Sequence, residues 1–323
     1  MFGQAIHNLK VATKERYKSK ASLPFGIPYL DCATGGILND DLVIVTARTG
    51  SGKTEMATII AQACLESGKT VSFFALEAYK GEIESRLMFK ILAEAFFTQK
   101  NFRSFERYPN YHDWRRGINN DLTQKFEEEA TKEFEKKYVN LHTCYRENNF
   151  TPDDFEKKID EVWSFTDIII LDHLHYFDFD SDNENAAMKS CIKRIRVLSQ
   201  SLRKPIILVA HLRKKDKFLK SIVPDTEEIH GSSDIGKIAT MIVSSSPAFD
   251  QSQSDKFIFP TYLRLCKNRD DSSRTRFVGL AGFNIQKNTY EQNFALGKLS
   301  LDESEFLVTE GEWPQWARRD RKV

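Results

Sequence analysis

The segment Ala47-Arg48-Thr49-Gly50-Ser51-Gly52-Lys53-Thr54 restricts what this chain can fold into more than any other stretch. It follows a short β-branched run, Leu42-Val43-Ile44-Val45-Thr46, and precedes a helical spacing of Met56, Ile59, Ile60 and Ala63 that Ser67-Gly68 closes. A buried parallel strand, a glycine loop and a helix are predicted in that order. In such a unit the loop amides and the unpaired N–H groups of the helix N-terminus converge on an anion. Lys53 is then placed to bridge the β and γ phosphates of a nucleotide, and the Thr54 hydroxyl to hold Mg²⁺. The strict pattern opens on glycine where this chain has Ala47, which requires ordinary backbone geometry at that position.

The strand and helix pattern repeats along the chain. Thr70 to Leu76 reads as a strand, Glu82 to Phe97 as a helix and Val139 to Tyr145 as a strand. Thr151 is the expected N-cap of the next helix, with Pro152 in its first position and Asp153 and Asp154 in its first turn. Asp167 to Leu171, Pro205 to Val209 and Ala239 to Ser244 read as further strands, and Ala186 to Leu202 as a helix. This alternation demands right-handed crossovers, and so an α/β fold with a mostly parallel central sheet covered by helices on both faces. From Lys100 to Lys137 the charged, aromatic sequence reads as an insertion with a helix over Asp121 to Lys137. Tyr262 to Cys266, Arg276 to Leu280 and Asn284 to Gln286 read as strands joined through the turn Asp270-Asp271-Ser272-Ser273, a β-hairpin-like extension. The expected division is a basic arm at 1–22, carrying Lys10, Lys14, Arg16, Lys18 and Lys20, then one domain at 23–290 with an insertion at about 100–137. A C-terminal extension at 291–323 follows, its end from Trp313 to Val323 expected as a mobile basic tail.

Charge and composition narrow the classes. With 41% hydrophobic and 12% aromatic residues over 323 positions, the chain is too apolar for disorder. Its 47 Lys plus Arg against 46 Asp plus Glu leave a net charge of +1, so any attraction for a polyanion must come from local clusters. No apolar run approaches the roughly 20 residues that span a bilayer, and Met1 to Lys20 has no signal-type apolar stretch. A soluble cytoplasmic protein with no membrane partner is expected. Cys32, Cys64, Cys144, Cys191 and Cys266 lie far apart without a C-x-x-C pair, which fits reduced thiols better than disulfides or zinc.

Several charged residues fall at predicted strand ends, where open parallel sheets place their ligands. Asp172 ends the apolar run from Ile168 to Leu171 and suits a magnesium-supporting carboxylate. Glu77 ends the run from Val71 to Leu76, where a carboxylate can take the proton of an attacking water. His211 follows the strand that starts at Pro205; it is either a contact to the γ-phosphate or a structural histidine. His173 and His175 share the Asp172 segment, yet no third metal ligand stands at a useful spacing, so zinc is not expected there. The loop Arg213, Lys214, Lys215, Lys217 and Lys220 can neutralise phosphates along one nucleic-acid strand, although a solvated charge run has the same composition. Lys267 and Arg269 end a predicted strand and could reach a phosphate outside their own fold, where an arginine stabilises transition-state charge.

In this order the pieces resemble the RecA-like motor of DnaB-type hexameric helicases, including the bacteriophage helicase-primase and mitochondrial Twinkle branch. The residues that carry the resemblance are Phe25-Gly26-Ile27-Pro28-Tyr29-Leu30-Asp31 with Thr34-Gly35-Gly36, the phosphate loop and Ala75-Leu76-Glu77. Leu171-Asp172-His173-Leu174, Ala210-His211-Leu212-Arg213, Ile229-His230-Gly231-Ser232-Ser233-Asp234-Ile235 and Lys267-Asn268-Arg269 complete it. It spans roughly residues 23 to 290. The resemblance implies a RecA-like P-loop NTPase that uses ATP and Mg²⁺, with Glu77 as general base, His211 as γ-phosphate sensor, and Arg269 with Lys267 presented to the next subunit. It also implies that Arg213 to Lys220 and Gly231, Ser232 and Ser233 grip single-stranded DNA inside a homo-oligomeric, usually hexameric ring, with a primase or loader as possible partner. The expected role is a helicase or translocase in replication of a phage, plasmid or similar element. Two other roles share the scaffold, a RecA-like recombination or repair ATPase and a non-unwinding loader or regulatory module. With 22 residues ahead of the matched span, the expectation is a motor without the N-terminal domain and linker that stabilise such rings.

Overall fold

The computed structural model describes residues 5–6, 9–10, 22–48, 51–98, 106–118, 120–179, 183–212, 221–229, 232–248 and 256–318. Most of the expected basic arm, including Lys14, Arg16, Lys18 and Lys20, lies outside them, as do Thr49, Gly50, the loop from Arg213 to Lys220, Gly231 and Arg319 to Val323.

The elements follow in order as α1 (Pro28–Thr34), β1 (Leu42–Ala47), α2 (Lys53–Glu66), β2 (Val71–Ala75), α3 (Glu82–Thr98), α4 (Tyr111–Arg115), α5 (Asn120–Lys137) and β3 (Leu141–Tyr145). Then come α6 (Pro152–Val162), β4 (Ile168–Asp172), α7 (Glu184–Leu202), β5 (Ile206–His211), α8 (Ser232–Ile238) and β6 (Met241–Pro247). The strands β7 (Ile258–Asn268), β8 (Val278–Asn284), β9 (Thr289–Leu299) and β10 (Phe306–Val308) finish the chain. Among the described residues these strands form one sheet in the order β10-β9-β8-β7-β6-β1-β5-β4-β2-β3. Pairing is parallel from β6 through β3 and antiparallel from β6 out to β10. The α/β fold with a mostly parallel sheet and an antiparallel C-terminal extension is therefore what forms.

Alternation along β1 shows why both faces are covered. Val43 and Val45 join a core with α1, α2 and α3, whereas Leu42 and Ile44 join a second core with α6 and α7. Strand residues buried on both sides read as unbroken apolar runs, the pattern that marked these segments in the sequence. The helix α6 carries the capping box expected of it, since Thr151 accepts from the Asp154 amide and Asp154 accepts from the Thr151 amide. All five cysteines are free thiols.

Four expectations need correction. Asn284 to Gln286 is no separate strand: Asn284 ends β8, and its side-chain oxygen accepts from the Gln286 and Lys287 amides to turn the chain. Two strands beyond it, β9 and β10, pair onto the sheet where only an extension was expected. From Trp313 to Arg318 the chain is packed and is not a mobile tail: Trp313 stacks on Phe294, Trp316 meets Phe277 edge-on, and Ala317 is buried. The insertion holds a second helix, α4, whose Tyr111 and Trp114 pack with Tyr108 around Phe89 of α3.

The antiparallel extension is locked to α1 through Tyr29, which is fully buried and donates its hydroxyl to the Phe277 carbonyl at 2.7 Å. A Cβ at Gly279 would stand 2.5 Å from that ring. Gly279→Ala is expected to destabilise the chain by about 1–3 kcal/mol through overpacking, read as a lower midpoint in urea unfolding. An unchanged midpoint would show that the Tyr29 contact yields freely.

Candidate active site

The phosphate loop starts where β1 ends. Ala47 is buried in register with His211 of β5, and its backbone continues the strand as expected of a residue other than glycine. Arg48 turns away from the loop, donating to the Ser221 carbonyl at 3.0 Å and pairing with Glu228 at 3.4 Å. The Ser51 amide closes on the Arg48 carbonyl, and Gly52 takes φ 73°, a left-handed conformation that glycine adopts without a Cβ penalty. Gly52 is the N-cap of α2 without any side-chain cap, so the first amides of the helix keep their capacity for an anion.

Lys53 is 8% exposed. Burial pulls its ammonium below the ordinary lysine range, while the charges of Glu77 and Asp172 push it back up. Asp172 ends β4 opposite Ala75 of β2 and is fully buried. Its carboxyl is pushed up to about 7 by burial and by Glu77, against the pull of the Thr54 hydroxyl, Arg86 and Lys53. Neither Asp172 oxygen has a hydrogen bond of good geometry, although His173 Nε2 lies 3.1 Å from Oδ1 and the Thr54 hydroxyl is a neighbour. Two hard oxygen donors, one of them a desolvated carboxylate short of partners, fit a magnesium ion better than they fit each other.

Glu77 stands two residues beyond β2 with its side chain 41% exposed, and its Oε2 lies 2.7 Å from His173 Nε2. Burial, then the facing Glu77 carboxylate, raises the Tyr176 phenol above its ordinary value. His173 is buried and stacks on His211 with the rings 4.3 Å apart and 4° from parallel, and His175 meets His211 edge-on. Burial and the neighbouring His211, Lys53 and His175 hold His173 neutral, pushed down to about 2. A cavity of about 550 Å³ runs over Gly52, Lys53, Thr54, Glu77, His173 and His211. Lys53, Thr54, Asp172, Glu77 and His211, far apart in the chain, thus share one site. The objection that His173 lacked further ligands was wrong in its premise, because the sheet brings Glu77 and His211 to it from other strands.

Beneath the loop lies a charged network that motif reading missed. Glu55, buried in the first turn of α2, receives Lys90 at 2.7 Å and Arg86 at 2.9 Å, and Arg86 also pairs with Glu82 at 2.8 Å. Burial alone would raise the Glu55 carboxyl; Lys90 and Arg86 overcome it and hold the group below its ordinary value. The i,i+4 spacing of Glu82 and Arg86 was the only local signal. A second cavity, of about 350 Å³, opens beside Ser51, Gly52 and Arg86 toward Pro247, Phe259 and Tyr290. Asn288 faces it, 6% exposed, with no hydrogen-bond partner for its Nδ2 among the described residues.

Arg269 is elsewhere. Its amide donates to the Thr240 carbonyl, and the preceding Asn268 pairs with Met241, which pairs with Val43 at the amino end of β1. The loop begins four residues on, at Ala47, so at roughly 3.3 Å per residue Arg269 sits on the opposite sheet edge from its own phosphate loop. Arg269 is exposed there. Lys267 does not reach outward with it: its ammonium donates to the carbonyls of Gly236 and Ala239 at 2.6 Å each and of Lys237 at 3.3 Å, capping the end of α8. Ser232 and Ser233 open α8, and a bridge between Leu212 and Ile229 ties together the chain on the near side of the Arg213–Lys220 and Gly231 segments.

A family model for the DnaB-like helicase C terminal domain matches residues 22–278. No curated protein sequence matches the chain. Among solved structures, a DnaB-like replicative helicase described with its interactions with primase superposes with a TM-score of 0.67 at 17% identity, covering 90% of this chain and 67% of that one. A structure described as an ATPase domain gives a TM-score of 0.66 at 14% identity, covering 96% of this chain and 100% of that one. At these identities the structural likeness bears on the fold alone.

Two outcomes follow from the site's electrostatics. Glu55→Gln leaves Lys90 buried without its anion and is expected to cost about 3–5 kcal/mol in denaturant unfolding, whereas a loss under 1 kcal/mol would contradict the network. Asp172 is raised in the folded chain from 3.8 to about 7, so the folded state keeps a proton that the unfolded state releases. Stability therefore falls as pH rises through this window and is level above it. Nucleotide-free Asp172→Asn should melt higher than the parent chain at about pH 8, with the gap closing toward about pH 4; a gap independent of pH would refute the assignment.

Proposed function

Because the chain belongs to the family of DnaB-like helicase C-terminal domains, and so is an NTP hydrolase of RecA-like fold, we propose that it is an ATP-dependent motor. It moves on single-stranded DNA as part of a homo-oligomeric ring in replication. The observation that carries this reading is the separation of the site into two halves. Glu77, Lys53, Thr54 and Asp172 gather at the carboxyl edge of the sheet, while the exposed Arg269 stands on the amino edge, out of reach of its own loop. Such halves complete each other when one copy's Arg269 meets the next copy's nucleotide, which ties hydrolysis to assembly.

In this reading the amides of Ser51 to Thr54 and the Lys53 ammonium hold the β and γ phosphates. Thr54 and Asp172 would hold the nucleotide's Mg²⁺, which would supply positive charge against the phosphate oxygens. Glu77, steadied by His173 and Tyr176, takes the proton of the attacking water as the γ-phosphoryl group departs, and His211 contacts that group. The nucleobase of the bound nucleotide lies in the second cavity, which Phe259, Tyr290 and Asn288 line. Arg213, Lys214, Lys215, Lys217 and Lys220, with Gly231, Ser232 and Ser233, form the DNA grip. Lys267, occupied with α8 in the single chain, must leave that cap if it joins Arg269 at a neighbour's phosphate. A place near the phage helicase-primase branch, in a phage or plasmid replicon, belongs to the same proposal, as does a primase or loader as partner.

Glu77→Gln is expected to lower ATP turnover by about 10²–10⁴-fold while nucleotide affinity stays within a few-fold. Arg269→Ala should lower turnover by about 10³-fold or more and depress the activity of wild-type chains mixed with it. Wild-type activity that falls only by dilution in such mixtures would remove the inter-subunit reading.

A further inference from the structure

Arg48 belongs to the phosphate loop by its backbone and to another part of the fold by its side chain. It follows Ala47, the last residue of β1, and its carbonyl accepts the Ser51 amide at 3.0 Å. Its guanidinium grips the segment Ser221–Ile229 instead: Nη2 donates to the Ser221 carbonyl at 3.0 Å, and Nη1 stands 3.4 Å from Glu228 Oε2. Ser221 and Glu228 are each 6% exposed. Glu228 is fixed independently, because its Oε1 accepts the Asp225 amide at 3.2 Å in the capping box of the short turn Thr226–Glu228. The rest of the segment is fastened away from the loop. Ser244 of β6 donates to the Pro224 carbonyl at 2.6 Å, and Arg264 of β7 pairs with Asp225 at 3.2 Å and with Glu303 at 2.9 Å. The Ile222 amide donates to the Glu303 carbonyl at 2.9 Å. In the chain this braced segment stands between two stretches: Arg213–Lys220 ends beside Ser221, and Gly231–Ser233 starts two residues after Ile229.

With those two stretches read as the DNA grip, as proposed above, we infer that Arg48 and Glu228 form the strut through which the phosphate loop and the DNA grip sense each other. Rearrangement of the loop as phosphate binds or leaves moves the Arg48 backbone, and the guanidinium carries that shift to Ser221 and Glu228. A planar fork that holds a carbonyl and a carboxylate at once transmits direction as well as distance, which apolar contact does not. The opposite side of the segment is anchored on β6, β7 and Glu303, so a push from Arg48 turns the segment about that anchor and displaces both of its ends. Coupling of this kind is reciprocal: nucleotide alters DNA affinity by the factor with which DNA alters nucleotide affinity. Arg48 and Glu228 are positioning residues here, acting on the reaction through the loop and the grip.

The test compares the full chain with E228Q, R48Q and E227Q. Three quantities are read: ATP turnover without DNA, turnover at saturating single-stranded DNA, and affinity for a fluorescent single-stranded oligonucleotide with and without a non-hydrolysable ATP analogue. E228Q keeps an oxygen for the Asp225 amide, so the turn stays capped while the charge facing Arg48 is gone. Its DNA-free turnover is expected within about threefold of the parent, whereas DNA stimulation, and with it the analogue's effect on DNA affinity, falls at least about fivefold. R48Q cuts the strut from the loop side and should lose the same stimulation whatever its basal rate, which keeps the test readable if E228Q unfolds. E227Q removes the same charge at the exposed neighbouring position and should behave as the parent does. Undiminished stimulation in a folded E228Q or in R48Q, or turnover that falls equally with and without DNA, would overturn the strut and leave the DNA motor standing. A parent chain whose turnover ignores DNA would remove the DNA-grip reading itself, and the strut with it.

Discussion

Parallel pairing of β1 with β5, of β5 with β4 and of β4 with β2 brings four strand ends into one row, and the chemistry of this chain rests on that alignment. Ala47 lies opposite His211, and Ala75 opposite Asp172, so the loop, the carboxylates and the histidines reach the same cavity without any local sequence relation. A slip of one residue in any of these pairs would turn the side chains to the other face. The continuous apolar cores on both faces, in which residues of β1 alternate between the two, are what oppose such a slip.

Electrostatics build on that frame at two depths. In the cavity, Asp172 and Lys53 are both desolvated and both moved toward neutrality, a state suited to receiving a charged phosphate and its metal. One layer below, the Glu55, Lys90 and Arg86 cluster fixes the start of α2 against α3. The same α3 follows Glu77 after a short turn, so the anchor under the phosphate loop also sets the position of the candidate base.

Local chemistry was legible in the sequence, as was the gathering of Glu77, Asp172 and His211 at strand ends, whereas side-chain packing between distant elements was not. The strand, glycine loop and helix around Lys53, the Thr151 cap and the buried strands each carry their cause within a few neighbouring residues. By contrast, β9 lacks a long apolar run because its residues are half covered, with Glu291, Gln292 and Asn293 interrupting it. The charges of Arg318 and Arg319 suggested a tail, although Trp313 and Trp316 beside them supply the area that holds residues up to Arg318 in place. His173 was set aside because sequence spacing reports only local ligands, while sheet order placed Glu77 and His211 next to it. Lys267 read as able to reach a phosphate outside its own fold, since nothing in the sequence shows that the carbonyls of α8 end beneath it.

The claim that two half-sites make one DNA-dependent motor is tested most directly by steady-state ATP hydrolysis across protein concentration, with and without single-stranded DNA. The account predicts turnover per chain that rises with concentration as copies supply Arg269 to one another, and that rises again when DNA is added. Turnover that is constant per chain and indifferent to DNA would contradict it, leaving a nucleotide-dependent regulatory ATPase on the same scaffold.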